Sequence, residues 1–136
     1  MGDMIRVKND WVLVGEHPFF NETLYSHIQK VLPESYVTSR IYFNRYKPGI
    51  DGCLHRDGVD LTALIYVSDY DKEFGGVTQF YENDLNQIFV PPITNRLVIF
   101  DSEILHKGFG FSHQWNPHRI TLAFKLKKDY NEEKDS

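Results

Sequence analysis

A mainly β fold, a double-stranded β-helix (jelly roll) with one N-terminal helix packed on its sheet, is predicted by three features of the sequence. From residue 36 onward the apolar residues recur with a period of two. Short β-branched and aromatic runs follow one another at regular spacing, punctuated by Gly, Pro, Asn and Asp. Only one stretch, before Pro33, has the spacing of a helix. One helix followed by many short strands fits two sheets rolled face to face.

Residues 4–14 alternate weakly and end in Trp11-Val12-Leu13-Val14, which predicts a first strand broken by His17-Pro18. Asn21 is placed to cap a helix running to about Leu32, with Phe20 stapled against Tyr25. Leu24, Ile28, Val31 and Leu32 would face the sheet, and Pro33 stops the helix. Residues 36–46 read as a strand turned by Lys47-Pro48-Gly49. Residues 53–57 form a short strand and residues 61–68 a longer one. A polar loop, 69–76, closes on Gly75-Gly76, whose role is turn chemistry. Short strands follow at 77–81, 87–90 and 96–100, and the last covers 118–127. The expected organisation is a single domain, 1–127, and a charged, disordered tail, 128–136.

A chain of 136 residues suffices for one hydrophobic core, and 41% hydrophobic with 15% aromatic residues can fill it. The net charge of -4 offers no general attraction to nucleic acid or to an anionic membrane. Arg45, Lys47, Arg56 and Lys107 leave room for a local basic patch. Cys53 is the only cysteine, which excludes an intramolecular disulfide and suits a reducing compartment. The polar start and the lack of a long apolar run predict a soluble, cytoplasmic protein without a membrane partner.

His55-Arg56-Asp57 is the triplet that carries chemistry. On a strand its first and last side chains share a face. A histidine and a carboxylate together, plus one distal histidine, form the facial triad of non-haem Fe(II), which leaves three octahedral positions open. Cys53 shares that face but reads as a packing residue. His106, His113 and His118 are the candidates for the distal ligand. His106 follows an apolar strand, whereas His113 lies in a loop and His118 faces away from Arg119 on the same strand. Ligands belong on rigid elements, so His106 is chosen.

The last strand has one apolar face, Ile120, Leu122, Phe124 and Leu126. The other reads Arg119, Thr121, Ala123, Lys125: small and polar beside a guanidinium, as a pocket for a dicarboxylate requires. Tyr66 lies in the strand after the triplet, where its phenol would donate a second hydrogen bond to the same carboxylate. Asn44 and Tyr46 share a face of the preceding strand and would reach the co-substrate or the outer shell of the metal, and Thr121 would add a hydroxyl.

Taken together these residues resemble the 2-oxoglutarate- and Fe(II)-dependent dioxygenases, in particular the prolyl-4-hydroxylase-like branch. Arg45-Tyr46-Lys47-Pro48-Gly49 followed by His55-x-Asp57 looks like the R-Y-x-x-G…H-x-D signature of that branch. Phe74-Gly75-Gly76, then residues 92–100, His106 and Arg119-Ile120-Thr121 look like its later segments. The resemblance covers about residues 36–127 and departs at Gly52, where the family usually has a tyrosine. It implies Fe(II) held by His55, Asp57 and His106, and 2-oxoglutarate held through Arg119. Dioxygen is the second co-substrate, and ascorbate an optional reductant. The implied reaction is hydroxylation of an unactivated carbon, first of all in a prolyl or other amino-acid residue of a peptide or protein.

Two other readings remain. Asn44-x-Tyr46-x-Pro48-Gly49 also looks like the oxidative nucleic-acid demethylases of the same superfamily, although these usually carry an arginine where this chain has Lys125. The acidic balance speaks against a nucleic-acid partner. A non-catalytic jelly-roll module that retains a metal site is the third reading.

Overall fold

The protein is described by a computed structural model that covers residues 9–83 and 85–130. Strand β1 (Asn9–Leu13) leads into a π-helical turn, Phe19–Leu24, which continues as the short helix α1 (Tyr25–Gln29). Seven strands follow: β2 (Tyr36–Tyr46), β3 (Leu61–Tyr66), β4 (Thr78–Tyr81), β5 (Gln87–Val90), β6 (Leu97–Asp101), β7 (Leu105–Gly108) and β8 (Arg119–Lys128). A five-stranded sheet has the order β1-β2-β8-β3-β6, and a three-stranded sheet has the order β5-β4-β7. All the named ladders are antiparallel. This is the rolled two-sheet arrangement that the strand spacing predicts.

β8 sits between β2 and β3, and its alternation divides the molecule. Leu122, Phe124 and Leu126 point to the helical side, where they form the main apolar core with Ile28, Tyr36, Ile41 and Ala63. Tyr25 stacks on Phe124 at 6.1 Å between ring centres and donates its hydroxyl hydrogen to Gln29 Oε1 or to the Tyr36 carbonyl oxygen. The opposite face of β8 carries Arg119, Thr121, Ala123 and Lys125 into the space between the sheets, all four of them buried. One strand therefore supplies both the core and the cavity wall.

The helical segment departs from the sequence reading. It begins at Phe19 behind Pro18, with no side-chain cap, and Asn21 lies inside the first turn with its amide donating to the Gly15 carbonyl. Phe20 sets its ring edge-on to Phe43. The helix ends at Gln29, and the following turns leave Val31 exposed rather than packed. Early termination explains this: only an unbroken 3.6-residue repeat would bring Val31 back to the sheet.

Other boundaries shift by a residue or two. The expected strand at 53–57 is reduced to a single bridge, His55 opposite His106, and Cys53 is exposed rather than packed. β7 was not expected as a strand of its own. β8 runs through Lys128, whose N–H donates to Asp60 Oδ2 and whose ammonium lies 3.3 Å from Glu34. Residues 131–136, most of the expected tail, and residues 4–8 of the expected first strand lie outside the described residues. Among the described residues no helix is long and apolar enough to cross a membrane.

Candidate metal centre and co-substrate pocket

β7 fixes His106, and the segment leading to β3 is tied to it. His55 and His106 exchange both main-chain hydrogen bonds, 3.0 and 2.9 Å, and the Asp57 N–H donates to the Ser102 carbonyl at 3.0 Å. These bonds bring the three side chains together without the short strand that the sequence suggested. Their donor atoms all lie within 4.8 Å of one another. His113, the alternative ligand, is exposed and lies beside Gly49 instead.

The protons of both imidazoles are placed for metal binding. His55 Nδ1 lies 2.7 Å from the Cys53 carbonyl and His106 Nδ1 lies 2.9 Å from the Ile104 carbonyl. A carbonyl only accepts, so each Nδ1 carries the hydrogen and each Nε2 keeps a lone pair for an ion. His55 Nε2 lies 3.2 Å from Asp57 Oδ1, and His106 Nε2 lies 3.5 Å from Oδ2. Two neutral imidazoles and one carboxylate form the donor set of an Fe(II) facial triad, so the residues fit that ion. His55 is 44% exposed by side chain against 6% for His106, so the open side of the centre lies at His55.

Asp57 is held from behind. Its Oδ2 accepts from Thr62 Oγ1 at 2.7 Å and from Lys125 Nζ at 2.6 Å. Thr62 is in turn 2.9 Å from Ser102 Oγ. Burial pushes the Asp57 pKa up, but the His55 hydrogen bond, then Lys125 and Thr62, outweigh it and hold the carboxyl well below the usual carboxylate range. The Asp57 hydrogen bond raises the pKa of His55, whereas burial lowers that of His106.

Arg119 lies on the same inner face of β8 and is 3% exposed. Its Nε donates to the Gly76 carbonyl and its Nη2 to Thr78 Oγ1, both at 2.8 Å. Tyr46 and Tyr66 flank the guanidinium, their ring centres 5.2 and 5.6 Å from Cζ. Two of its five N–H groups are thus taken, and the rest of the fork remains for a ligand. The cavity between the sheets is lined by Arg119, Thr121, Asn44, Tyr46, His55 and His106, among others.

Tyr66 stands elsewhere than expected. It is fully buried, its hydroxyl lies 2.7 Å from Thr78 Oγ1, and it does not line the cavity; it supports Arg119 from behind. Asn44 Oδ1 is the one buried side-chain nitrogen or oxygen without a hydrogen-bond partner among the described residues, an acceptor on the cavity wall. Gly52 is explained by Tyr46: a Cβ there would collide with the Tyr46 phenol, which fills that space. Thr78, Lys125 and Gly76 are site residues that sequence reasoning missed. Gly76 gave a signal as half of the paired glycines, both of which take positive φ, and Lys125 as a member of the polar face of the last strand, though not as a partner of Asp57.

No family model matches the sequence, and no curated protein gives a significant match. Solved structures do match. A viral collagen prolyl hydroxylase from Paramecium Bursaria Chlorella virus-1, solved with 2-oxoglutarate, is 18% identical with a TM-score of 0.72, over 94% of this chain and 84% of that one. A Trichoplax adhaerens prolyl hydroxylase, in complex with a hypoxia inducible factor peptide fragment, is 17% identical with a TM-score of 0.70, over 94% of this chain and 66% of that one. A 2OG-Fe(II) oxygenase family oxidoreductase from Burkholderia pseudomallei is 14% identical with a TM-score of 0.62, over 73% of this chain and 48% of that one. The chain therefore spans about half the length of the Burkholderia protein and about two thirds of the Trichoplax one. At these identities the likeness is one of fold: the chain has the fold shared by 2-oxoglutarate–Fe(II) oxygenases, prolyl hydroxylases among them.

Proposed function

We propose that the protein is an Fe(II)- and 2-oxoglutarate-dependent dioxygenase that hydroxylates an unactivated carbon, first of all in a prolyl or other amino-acid residue of a peptide or protein. The observation that carries this reading is the convergence of His55 Nε2, His106 Nε2 and the Asp57 carboxylate, with both Nδ1 atoms tied to carbonyls. Fe(II) with 2-oxoglutarate supplies the oxidation of a C–H bond by dioxygen, with release of succinate and CO2.

The residues of the chain bind, orient and exclude water. Main-chain bonds lock the two imidazoles, and Lys125 and Thr62 fix the Asp57 carboxylate. Arg119, backed by Thr78 and Tyr66, offers a fork to the far carboxylate of 2-oxoglutarate, with Thr121, Tyr46 and Asn44 on the walls. Phe80 and Phe100 pack against the buried imidazole of His106, with ring centres at 5.9 and 4.7 Å, and keep that side dry.

Asn44 on the cavity wall favours, as the second reading, an oxidative nucleic-acid demethylase with the same iron site. Succinate release above the uncoupled background, measured across peptides, free amino acids and methylated oligonucleotides, tests both. Stimulation by a peptide supports the first reading, stimulation only by methylated oligonucleotides moves the assignment to the second, and no succinate under any condition leaves the non-catalytic module.

A further inference from the structure

The inner face of the five-stranded sheet carries one more row of side chains at the solvent end of the cavity. Arg40 stands directly across the ladder from Lys125, so both side chains leave the sheet on the same face. Arg40 Cζ lies 5.6 Å from the centre of the Tyr42 ring, and Lys125 Nζ lies 5.9 Å from it. Trp11 meets that ring edge-on at 6.3 Å. Lys125 is matched by Asp57, whereas Arg40 is exposed and has no carboxylate within ion-pair distance among the described residues.

Like charges directly opposite each other on a sheet destabilise it, so this arrangement needs a reason. The register of β2 against β8 shifts between Thr38 and Arg40, and such irregularities re-aim side chains. Arg40 also walls a second hollow with Leu13, Pro18, Phe20 and Thr38, with Glu16 and His17 on its lining. Leu13 is the cross-strand neighbour of Tyr42, which lines the metal cavity.

Asp57 is shared by Lys125 and the two histidines, and bound 2-oxoglutarate would bring one carboxylate for Arg119 and one for the metal. Arg40 then has no acidic partner among the described residues, in a chain whose net charge is -4. We infer that Arg40, with the Trp11–Tyr42 wall, forms the primary-substrate subsite and selects a substrate with a carboxylate beside the oxidised carbon, as in an acidic residue of a peptide. The aromatic edges would take the carbon skeleton and the guanidinium the acid. A polynucleotide fits less well, because one exposed arginine is a small footprint for a phosphate backbone. The inference rests on the dioxygenase reading.

Equilibrium binding to the anaerobic Fe(II)–2-oxoglutarate protein tests it. The probes are Ac-Ala-Pro-Xaa-Ala-NH2 peptides with Asp, Glu, Asn or Lys at Xaa, free aspartate and glutamate, and oligothymidylate. The acidic peptides are expected to bind about tenfold more tightly than the Asn peptide, the scale of one charge-assisted contact at a partly exposed site. The preference should vanish in Arg40→Gln and pass to the Lys peptide in Arg40→Glu, while Trp11→Phe weakens every peptide. Free amino acids that show the same preference would identify a small-molecule source of the carboxylate; binding confined to peptides would identify a polypeptide. Equal binding of the Asp and Asn peptides by the parent overturns the inference, as does oligothymidylate binding that Arg40→Gln abolishes. Binding of 2-oxoglutarate to the parent, measured separately, tests the underlying reading. If it fails, the peptide preference in the Fe(II) protein alone still decides the role of Arg40.

Discussion

Lys125 Nζ lies 2.6 Å from Asp57 Oδ2, a buried ammonium held against the carboxylate of the candidate metal centre. Burial lowers the lysine's pKa, and Asp57 opposes that shift. The pair orients the carboxylate so that Oδ1 faces His55. Lys125→Met keeps the volume but removes the charge and one hydrogen bond. Fe(II) affinity at neutral pH should fall about 10- to 100-fold, the usual cost of losing a partner of a metal ligand, with the fold retained. Metal titration alongside circular dichroism checks this; unchanged affinity would reduce the contact to packing.

The depressed pKa of Asp57 sets an acid limit on the metal-free protein. A carboxyl whose folded pKa lies below its unfolded value of about 3.9 contributes stability that is complete above that value. The contribution is lost as pH falls through the folded pKa. Asp57→Asn should therefore flatten the acid limb of stability below about pH 4. Chemical denaturation of metal-free parent and variant between about pH 2 and 6 measures the difference, and parallel curves would show that Asp57 is not held as described.

Gly52→Ala places a methyl group where the Tyr46 phenol lies. The phenol, which flanks Arg119, must shift, so 2-oxoglutarate should bind about tenfold more weakly while Fe(II) binding is retained. Isothermal titration with each ligand separates the two effects, and unaltered 2-oxoglutarate binding would remove Tyr46 from the pocket.

Phe124 is fully buried beneath Tyr25 in the core on the helical side. Phe124→Ala should cost about 3–5 kcal/mol by lost burial and cavity formation. Urea denaturation gives the value, and a loss below about 1 kcal/mol would mean that this core is not closed by the helix.

The sequence made the strand pattern legible because alternation is local: β2 and β5 have the bounds that alternation predicts. The two faces of β8 were legible for the same reason. Helix length was not, since Val31 keeps helical spacing after the chain has left the helix. His55, Asp57 and His106 were readable as residue types at a spacing, and the structure brings them together by main-chain bonds rather than by the strand expected at 53–57. Thr78 and Lys125 were not readable as site residues. A threonine on β4 and a lysine on the polar face of β8 acquire their roles only when the sheets close, through Arg119 and Asp57. Tyr66 shows the converse: its type and strand were right, but Thr78 takes its hydroxyl.

The central claim is that His55, Asp57 and His106 hold Fe(II) beside a 2-oxoglutarate carboxylate bound by Arg119. The most direct measurement is anaerobic titration of 2-oxoglutarate into the Fe(II) protein, following the visible metal-to-ligand absorption band. The parent should develop the band at a stoichiometry of one, and His106→Ala should show neither tight iron binding nor band. Arg119→Ala should bind iron normally but need much more 2-oxoglutarate to reach the same absorbance. No band in the iron-loaded parent, or equal titration curves for parent and Arg119→Ala, would contradict the assignment.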